Sequence, residues 1–380
     1  GDVGDIGDGK DEIVGSTTSL NLWVPSNCVD FYQARVDEFL LSHKSYNVNI
    51  QSKDAGEVYN TLKVDPDAGA DVFLFSGEYV KEFEKDGLLH TVSGNYAKTV
   101  RQNNNSFAVA AIDRADGIVG FPATLDNGWF LWYNSEIYNQ NEVNYLDDIL
   151  IKAREHNKQV RYMYYSFWYA AAFFNGAGCE MDYADNGVYR TDIDSANGIA
   201  AAQAMYKYYR TYNDVITAEY DEATVAKLNN GSIVAAFGGA WMGSQLNANI
   251  FPAVCPIFIA GETSYGEEMR MSPYVNGTYF GVNSKSKNKA LATELADYLS
   301  NYQSQFLRYS QLNTIPSNAN VMNNIANSDK AIEVMQMQCG LGATYLYRHT
   351  NNAYREIAQF SSECYYGSVY FDQIEDTLRT

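Results

Sequence analysis

Residues 71–89 read DVFLFSGEYVKEFEKDGLL. The run Asp71–Phe75 turns apolar without alternation, the pattern of a strand covered on both faces. Tyr79–Asp86 then takes up helical spacing, and Gly87 stops it, because glycine adopts the left-handed conformation that ends a helix. A buried strand that feeds a helix through a short Ser-Gly-Glu turn belongs to an α/β layer architecture.

The flanks repeat the theme. Leu20–Val24 (LNLWV) is a short apolar strand. Val29, Tyr32, Val36, Phe39 and Leu40 recur at three and four, marking one helical face. Asn47–Ile50 reads as the next strand. Downstream, Leu146–His156 is helical, Gln159–Tyr164 is a strand, and Ile199–Arg210 is a tyrosine-studded helix. Ser232–Phe237 (SIVAAF) and Gly277–Val282 (GTYFGV) are two more buried strands. Leu291, Leu295, Tyr298, Leu299, Tyr302 and Phe306 predict one long amphipathic helix. The expected fold class is α/β, with mostly parallel sheets flanked by helices.

At 380 residues the chain exceeds what one core usually holds, so two domains are expected. An apolar share of 46% excludes a disordered chain. Lys plus Arg number 27 against 46 Asp plus Glu, a net charge of −19 that repels phosphate backbones and anionic lipid. Nucleic acid is therefore not an expected partner. There is no run of about 20 apolar residues to span a bilayer. No charged-then-apolar leader opens the sequence, which reads as a mature or trimmed form. Residues 1–17 start GDVGDIGDGKDEIVG and read as an acidic tether. Asp2, Asp5 and Asp8 lack the twelfth-position glutamate of a calcium loop. Gly4–Lys10 spells GxxxxGK but is followed by Asp11, so no phosphate loop is expected.

The chemistry of catalysis has little support. His43, His90, His156 and His349 are isolated, and no HExxH or GxSxG occurs. The five cysteines, Cys28, Cys179, Cys255, Cys339 and Cys364, are too far apart for CxxC-type metal sites. They read as buried thiols, with one incidental disulfide as the alternative. No metal and no cofactor are expected. Glycoside hydrolysis needs paired carboxylates, and Asp126 and Glu78 both fall at apparent strand ends, so a sugar hydrolase stands as the enzymatic alternative.

Aromatics carry the positive signal. Phe75 and Tyr79 flank one turn, and Trp129 follows Asp126-Asn127-Gly128. Tyr164 to Tyr169 (YYSFWY) precedes a small-residue helix, Trp241 ends a Gly-Gly-Ala-Trp turn, and Tyr345 and Tyr347 lie near the end of the chain. Sugar rings present an apolar C–H face and a hydroxyl edge. Flat aromatic rings suit the first, and Asp, Glu, Asn and Arg suit the second.

These blocks, in this order, carry a resemblance. LNLWV with its helix, DVFLFSGEYVKEFEKDGLL, DGIVGFPATLDNGWFLWYNSEIY, WYAAAFFNGAGC, LNNGSIVAAFGGAW and GTYFGVNSKSKNKALATELADYL together resemble the extracellular solute-binding proteins of carbohydrate ABC importers, the maltose-binding type. The resemblance covers about residues 18 to 380. It implies a two-lobed fold with sugar held between the lobes at a hinge. Residues 18–124 plus 277–314 would form one lobe, and 125–276 plus 315–380 the other. It implies carbohydrate contacts at Asn27, Phe75, Glu78, Asp126, Asn127, Tyr165, Phe167, Trp168, Trp241, Tyr347 and Tyr354. Cys28 stands where the family commonly has lysine, and Tyr165-Ser166-Phe167 where it has Glu-Pro-Tyr. The implied role is a monomeric binder, not an enzyme, that captures malto-oligosaccharides for membrane permease subunits. It would sit outside the cell, held by a lipid anchor upstream of the tether in a monoderm bacterium, or in the periplasm of a diderm. Xylo-, galacto- or fructo-oligosaccharides are the alternative ligands, and polyamines or metal ions a more distant one.

Overall fold

The computed structural model describes residues 17–183, 188–348 and 351–379. The tether residues 1–16 and His349 lie outside the described residues. Ten strands join in one mixed sheet. At one end Thr18–Val24 pairs in parallel with Tyr46–Ser52 and with Val72–Ser76. Val72–Ser76 then pairs antiparallel with Tyr274–Val282, which pairs antiparallel with the 14-residue strand Phe121–Asn134. The other end adds Ile233–Gly239 antiparallel to Phe121–Asn134, then Gln159–Arg161 and Ile216–Thr217 in parallel. Ile250–Ala253 and Thr344–Tyr345 complete the sheet on the two long strands.

Two separate cores cover this sheet. The first draws on Leu20 to Ala123 and on Tyr279 to Leu299. The second runs mainly from Leu125 to Val275 and from Ile315 to Ile374. The long strands therefore enter one core at one end and leave in the other. Trp23, Phe73, Phe75 and Phe83 anchor the first core; Trp129, Tyr162, Tyr208 and Tyr209 anchor the second. Two separately buried sets of rings, joined through the shared long strands, give two lobes rather than one rounded body.

The element read from residues 71–89 forms as the sequence predicts. Val72–Ser76 is a strand, Val80–Lys85 is a helix, and Gly87 holds a φ of 64°. The single long helix expected from Leu291 to Phe306 is instead two, Lys289–Leu299 and Tyr302–Leu312. Apolar periodicity continues through the break, but the polar chemistry there overrides it. The Ser300 hydroxyl donates back to Ala296 O at 2.7 Å, and Asn301 Oδ1 accepts the Ser304 N–H at 2.9 Å as a fresh N-cap. The break aims Gln305 into the protein. Its amide donates to Pro122 O at 2.9 Å, and its Oε1 accepts the N–H groups of Ser317 and Asn318, both at 2.8 Å.

Candidate functional site

The two long strands meet in an irregularity. Asn276 lies opposite Asn127 and Thr278 opposite Thr124, so Leu125 and Asp126 together face the single residue Gly277. This is a β-bulge, a device that bends a strand and re-aims side chains. Gly277 is required by contact: a Cβ there would lie 1.9 Å from the Thr124 carbonyl oxygen. A third segment joins at the same level, since the Leu125 N–H donates to Ile315 O at 2.9 Å. At the bulge, the Thr124 hydroxyl donates to Asp126 Oδ1 at 2.8 Å and accepts the Thr278 N–H at 3.2 Å.

Beside this junction opens a cavity of about 770 Å³, whose lining includes Asp126, Trp241, Tyr309, Asn313, Asp329 and Lys330. That volume lies in the range of small-molecule sites. The strand Ile233–Gly239 delivers Trp241 through its glycine turn, and the indole folds back over Gly239. Its Nε1–H donates to Asp221 Oδ2 at 2.7 Å, and Asp221 Oδ1 pairs with Arg161 Nη2 at 2.7 Å. Arg161 is fully buried and is fixed further by Phe237 O at 2.6 Å and Glu219 O at 3.0 Å. The exposed ring is thus oriented by a buried cation acting through a carboxylate. Opposite, Tyr309 donates to Asp329 Oδ2 at 2.8 Å, and burial with that bond pushes its phenol up to about 12.

Asp126 also acts electrostatically on a buried group beneath it. Arg308 donates from Nη1 to the Tyr32 hydroxyl at 2.9 Å and from Nη2 to Cys28 Sγ at 3.5 Å, and its charge responds to Asp126. Burial pushes the Cys28 thiol up while Arg308 pulls it down. Exposed Asn27 accepts from Cys28 at 3.5 Å, which puts it at the edge of this group.

A second group gathers at the end of Val72–Ser76. The Arg348 N–H donates to Glu78 O at 2.9 Å, and the Arg348 guanidinium lies 5.0 Å over the Tyr79 ring. Burial raises the half-buried Glu78 carboxyl, and the Arg348 charge opposes that shift. Lys81 sits 4.1 Å over the Tyr347 ring and is ion-paired with Asp182. Asp126 and Glu78 therefore have different partners.

Other candidates fall elsewhere. Phe75 is fully buried, with its ring 4.8 Å from Phe83 and 5.8 Å from Tyr279, so it is a core residue and offers no stacking face. A strand covered on both faces buries every residue of its apolar run, Phe75 included. Phe167 is likewise buried, 5.5 Å from the Tyr274 ring. Trp168 is half-buried against Tyr274 at 6.0 Å. The exposed Asn127 spends its amide on Asn276 at 2.6 Å. Tyr165 is exposed beside Tyr164. Tyr354 falls in the helix Asn351–Tyr366, and its side chain lies outside the described residues.

Sequence reasoning missed Arg161, Asp221, Tyr309, Asp329 and Arg308. The one available signal was Arg161, a charge inside the strand pattern QVRYMYY. Among the described residues no cluster of His, Cys, Asp or Glu could hold a metal ion, the five cysteines are unbridged, and no helix is long and apolar enough to cross a membrane.

Solved structures share the whole fold. A maltodextrin-binding protein from L. casei BL23, without ligand, superimposes with a TM-score of 0.82 at 20% identity, over 96% of this chain and 98% of that one. A maltose-binding periplasmic protein from Listeria monocytogenes, in complex with maltose, gives 0.78 at 16%, over 96% and 97%. A cyclo/maltodextrin-binding protein complexed with maltotetraose gives 0.79 at 15%, over 96% of each chain. Among curated proteins none matches the chain by sequence. A family profile described as bacterial extracellular solute-binding protein matches residues 34–334. That span is most of the chain and includes both long strands, the Gly277 bulge and Trp241, and on it the chain belongs to the bacterial extracellular solute-binding protein family.

Proposed function

We propose that this protein captures oligosaccharides, malto-oligosaccharides foremost, and passes them to the permease subunits of an ABC importer. The observation that carries the reading is the cavity that joins Asp126 and Trp241 beside the strand crossing. The indole face would stack on a sugar ring, and Asp126 with Asn313, Asp329 and Lys330 would bond its hydroxyl edge. Glu78, Tyr347, Asn27, Asn127, Tyr165, Trp168 and Tyr354 are the further contacts of this reading; Phe75 and Phe167 are not among them. The solved relatives that bind maltose and maltotetraose support the choice of glucan.

The lobes in this reading are residues 18–124 plus 277–314 and residues 125–276 plus 315–380. They close on sugar as a monomer, held outside the cell by a lipid anchor. The binding needs no cofactor and performs no chemistry. A thermal-shift panel of gluco-, xylo-, galacto- and fructo-oligosaccharides of two to six units tests this. A ligand that binds only the native state must raise the melting temperature, and the gluco series should raise it most. A panel with no shift at all removes the reading. Appearance of shorter sugars after a day of incubation would make Asp126 and Glu78 a hydrolytic pair instead.

A further inference from the structure

A second cavity, of about 460 Å³, opens beside the first core, at the end of the sheet away from the strand crossing. Thr18–Val24 and Tyr46–Ser52 run parallel, with Thr18 opposite Tyr46 and Val24 opposite Ser52. Asn27 follows the Val24 end, whereas Tyr46 lines the cavity at the other end. His90, also in the wall, donates its backbone N–H to Val282 O at 2.8 Å, at the end of Tyr274–Val282 remote from Gly277. This cavity shares no lining residue with the one at Asp126 and Trp241.

Its walls come from the start of Tyr46–Ser52, the connection 90–93, and the helices Gly94–Asn103 and Lys289–Leu299. Tyr46 and Tyr96, both half-buried, bring phenol rings from different elements. Each is braced from behind: the Tyr46 ring lies 6.1 Å from the His43 ring, and Tyr96 meets Phe121 edge-on at 6.3 Å. Buried Val92 and Leu291 add apolar surface. The polar groups of the wall are unspent. Ser93 stands at the N-cap of the helix Gly94–Asn103, yet its hydroxyl makes no capping bond. Among the described residues the hydroxyls of Tyr46, Thr91 and Tyr96 and the ring nitrogens of His90 have no hydrogen-bond partner either. Groups that the protein leaves unpaired are open to water or to a ligand.

The charges around the cavity offset one another. Burial and the nearby Lys289 charge lower the His90 pKa below 6.5, so its ring is neutral at pH 7, with one donor and one acceptor. Glu294 Oε1 lies 2.7 Å from His43 Nε2, and that bond helps to raise the His43 pKa. Asp297 sets a negative charge near Tyr96, and Lys289 a positive one near His90. Neither an anion nor a cation finds a surplus of opposite charge here.

We propose that this cavity is a second binding site, for a small neutral ring that carries several hydroxyls, the size of a mono- or disaccharide, and that it fills independently of the cavity at Trp241. Its volume lies in the lower part of the range of small-molecule sites. Such a ring presents C–H faces to the two phenols and hydroxyls, each both donor and acceptor, to the unpaired groups of the wall. The proposal does not depend on what the Trp241 cavity binds.

Saturation-transfer NMR and titration calorimetry with glucose, myo-inositol, glucosamine and glucose 6-phosphate test it, on the wild type, Trp241→Ala, Ala290→Trp and Tyr96→Ala. Ala290 is exposed and lines the cavity, so an indole there fills the space without entering the core. Tyr96→Ala removes a wall instead, and circular dichroism checks the fold of each variant. Glucose and myo-inositol should bind the wild type and Trp241→Ala alike. Ala290→Trp and Tyr96→Ala should each weaken them by about tenfold or more, as loss of an aromatic anchor does. Binding lost in Trp241→Ala but unchanged in the other two variants would confine sugar to the strand crossing, which overturns the second site and leaves the carbohydrate reading intact. A preference for glucosamine or glucose 6-phosphate over the neutral probes would overturn the neutral ligand class. No binding of any probe would overturn the site.

Discussion

Trp241 lies with its ring over Gly239, so that a Cβ on that glycine would sit 2.1 Å from the indole Cε2. The Gly-Gly-Ala-Trp turn is therefore a seat: glycine supplies room, and Asp221 supplies the hydrogen bond that sets the ring angle. Gly239→Ala should push the indole out of this position. Sugar affinity should fall by about 1–3 kcal/mol, the range for losing one aromatic anchor, and Trp241→Ala should cost the same. Titration calorimetry measures both. Far-ultraviolet circular dichroism should remain native, because the ring is exposed.

Asp221→Asn should loosen the indole and take the charge partner from buried Arg161, while Phe237 O and Glu219 O still hold the guanidinium. A destabilisation of about 1–2 kcal/mol is expected, less than for a fully buried pair because Asp221 is itself 43% exposed. Urea denaturation gives the stability, and the Trp emission of the folded protein should shift in the same variant.

Gln305→Leu keeps the side chain's bulk and removes its acceptor. The N–H groups of Ser317 and Asn318 would then be buried without partners. Each such group costs about 1–3 kcal/mol, so the melting temperature should drop by several degrees. Retention of wild-type stability would mean that water replaces the amide.

Lys81, beside the first core, pairs with Asp182, beside the second. Both are 39% exposed, so the pair is worth about 0–1 kcal/mol and weakens with salt. A pair so weak adds little to closure, and a ligand that touches both lobes would supply the differential affinity for the closed state. Saturating maltodextrin should therefore reduce the radius of gyration in solution scattering. Lys81→Gln should leave that compaction in place and shift its sugar midpoint slightly upward. Scattering curves that coincide with and without bound sugar would remove lobe closure.

The His43 ring lies 2.7 Å from Glu294 and 2.9 Å from Phe39 O. Desolvation lowers its pKa, but the Glu294 and Phe39 bonds outweigh it and leave the value raised above 6.5. A pKa raised on folding adds stability that is complete below the unfolded value and disappears as the pH climbs through the folded one. The melting temperature of the wild type relative to His43→Gln should accordingly be greater at pH 5.5 than at pH 9.

Local pattern carried much of the fold. Val72–Ser76, the helix Val29–Leu40 and the stop at Gly87 follow from apolar spacing and glycine geometry, both properties of a few neighbouring residues. The same pattern misled at Leu291–Phe306, where the helix breaks because Asn301 caps a new one, a competition that apolar periodicity does not register. Position in the chain brought Asp126 and Trp241 forward as candidates, and the structure puts both on one cavity.

The sequence by itself determined where several of the strands and helices form, and that the chain belongs to an aromatic-rich, acidic α/β class. Only the tertiary structure decided which rings face solvent. Phe75 lies near the end of one apolar strand and Trp241 just past the end of another, yet Phe75 points into a core closed by Phe83 and Tyr279, whereas Trp241 turns out over Gly239. Nothing local distinguishes them, because exposure depends on what distant segments cover. Asp221 opens the helix Asp221–Asn230, Asp329 caps Lys330–Gly342 and Arg308 lies inside Tyr302–Leu312, and only packing brings their charges within a hydrogen bond of the rings and the thiol beside them.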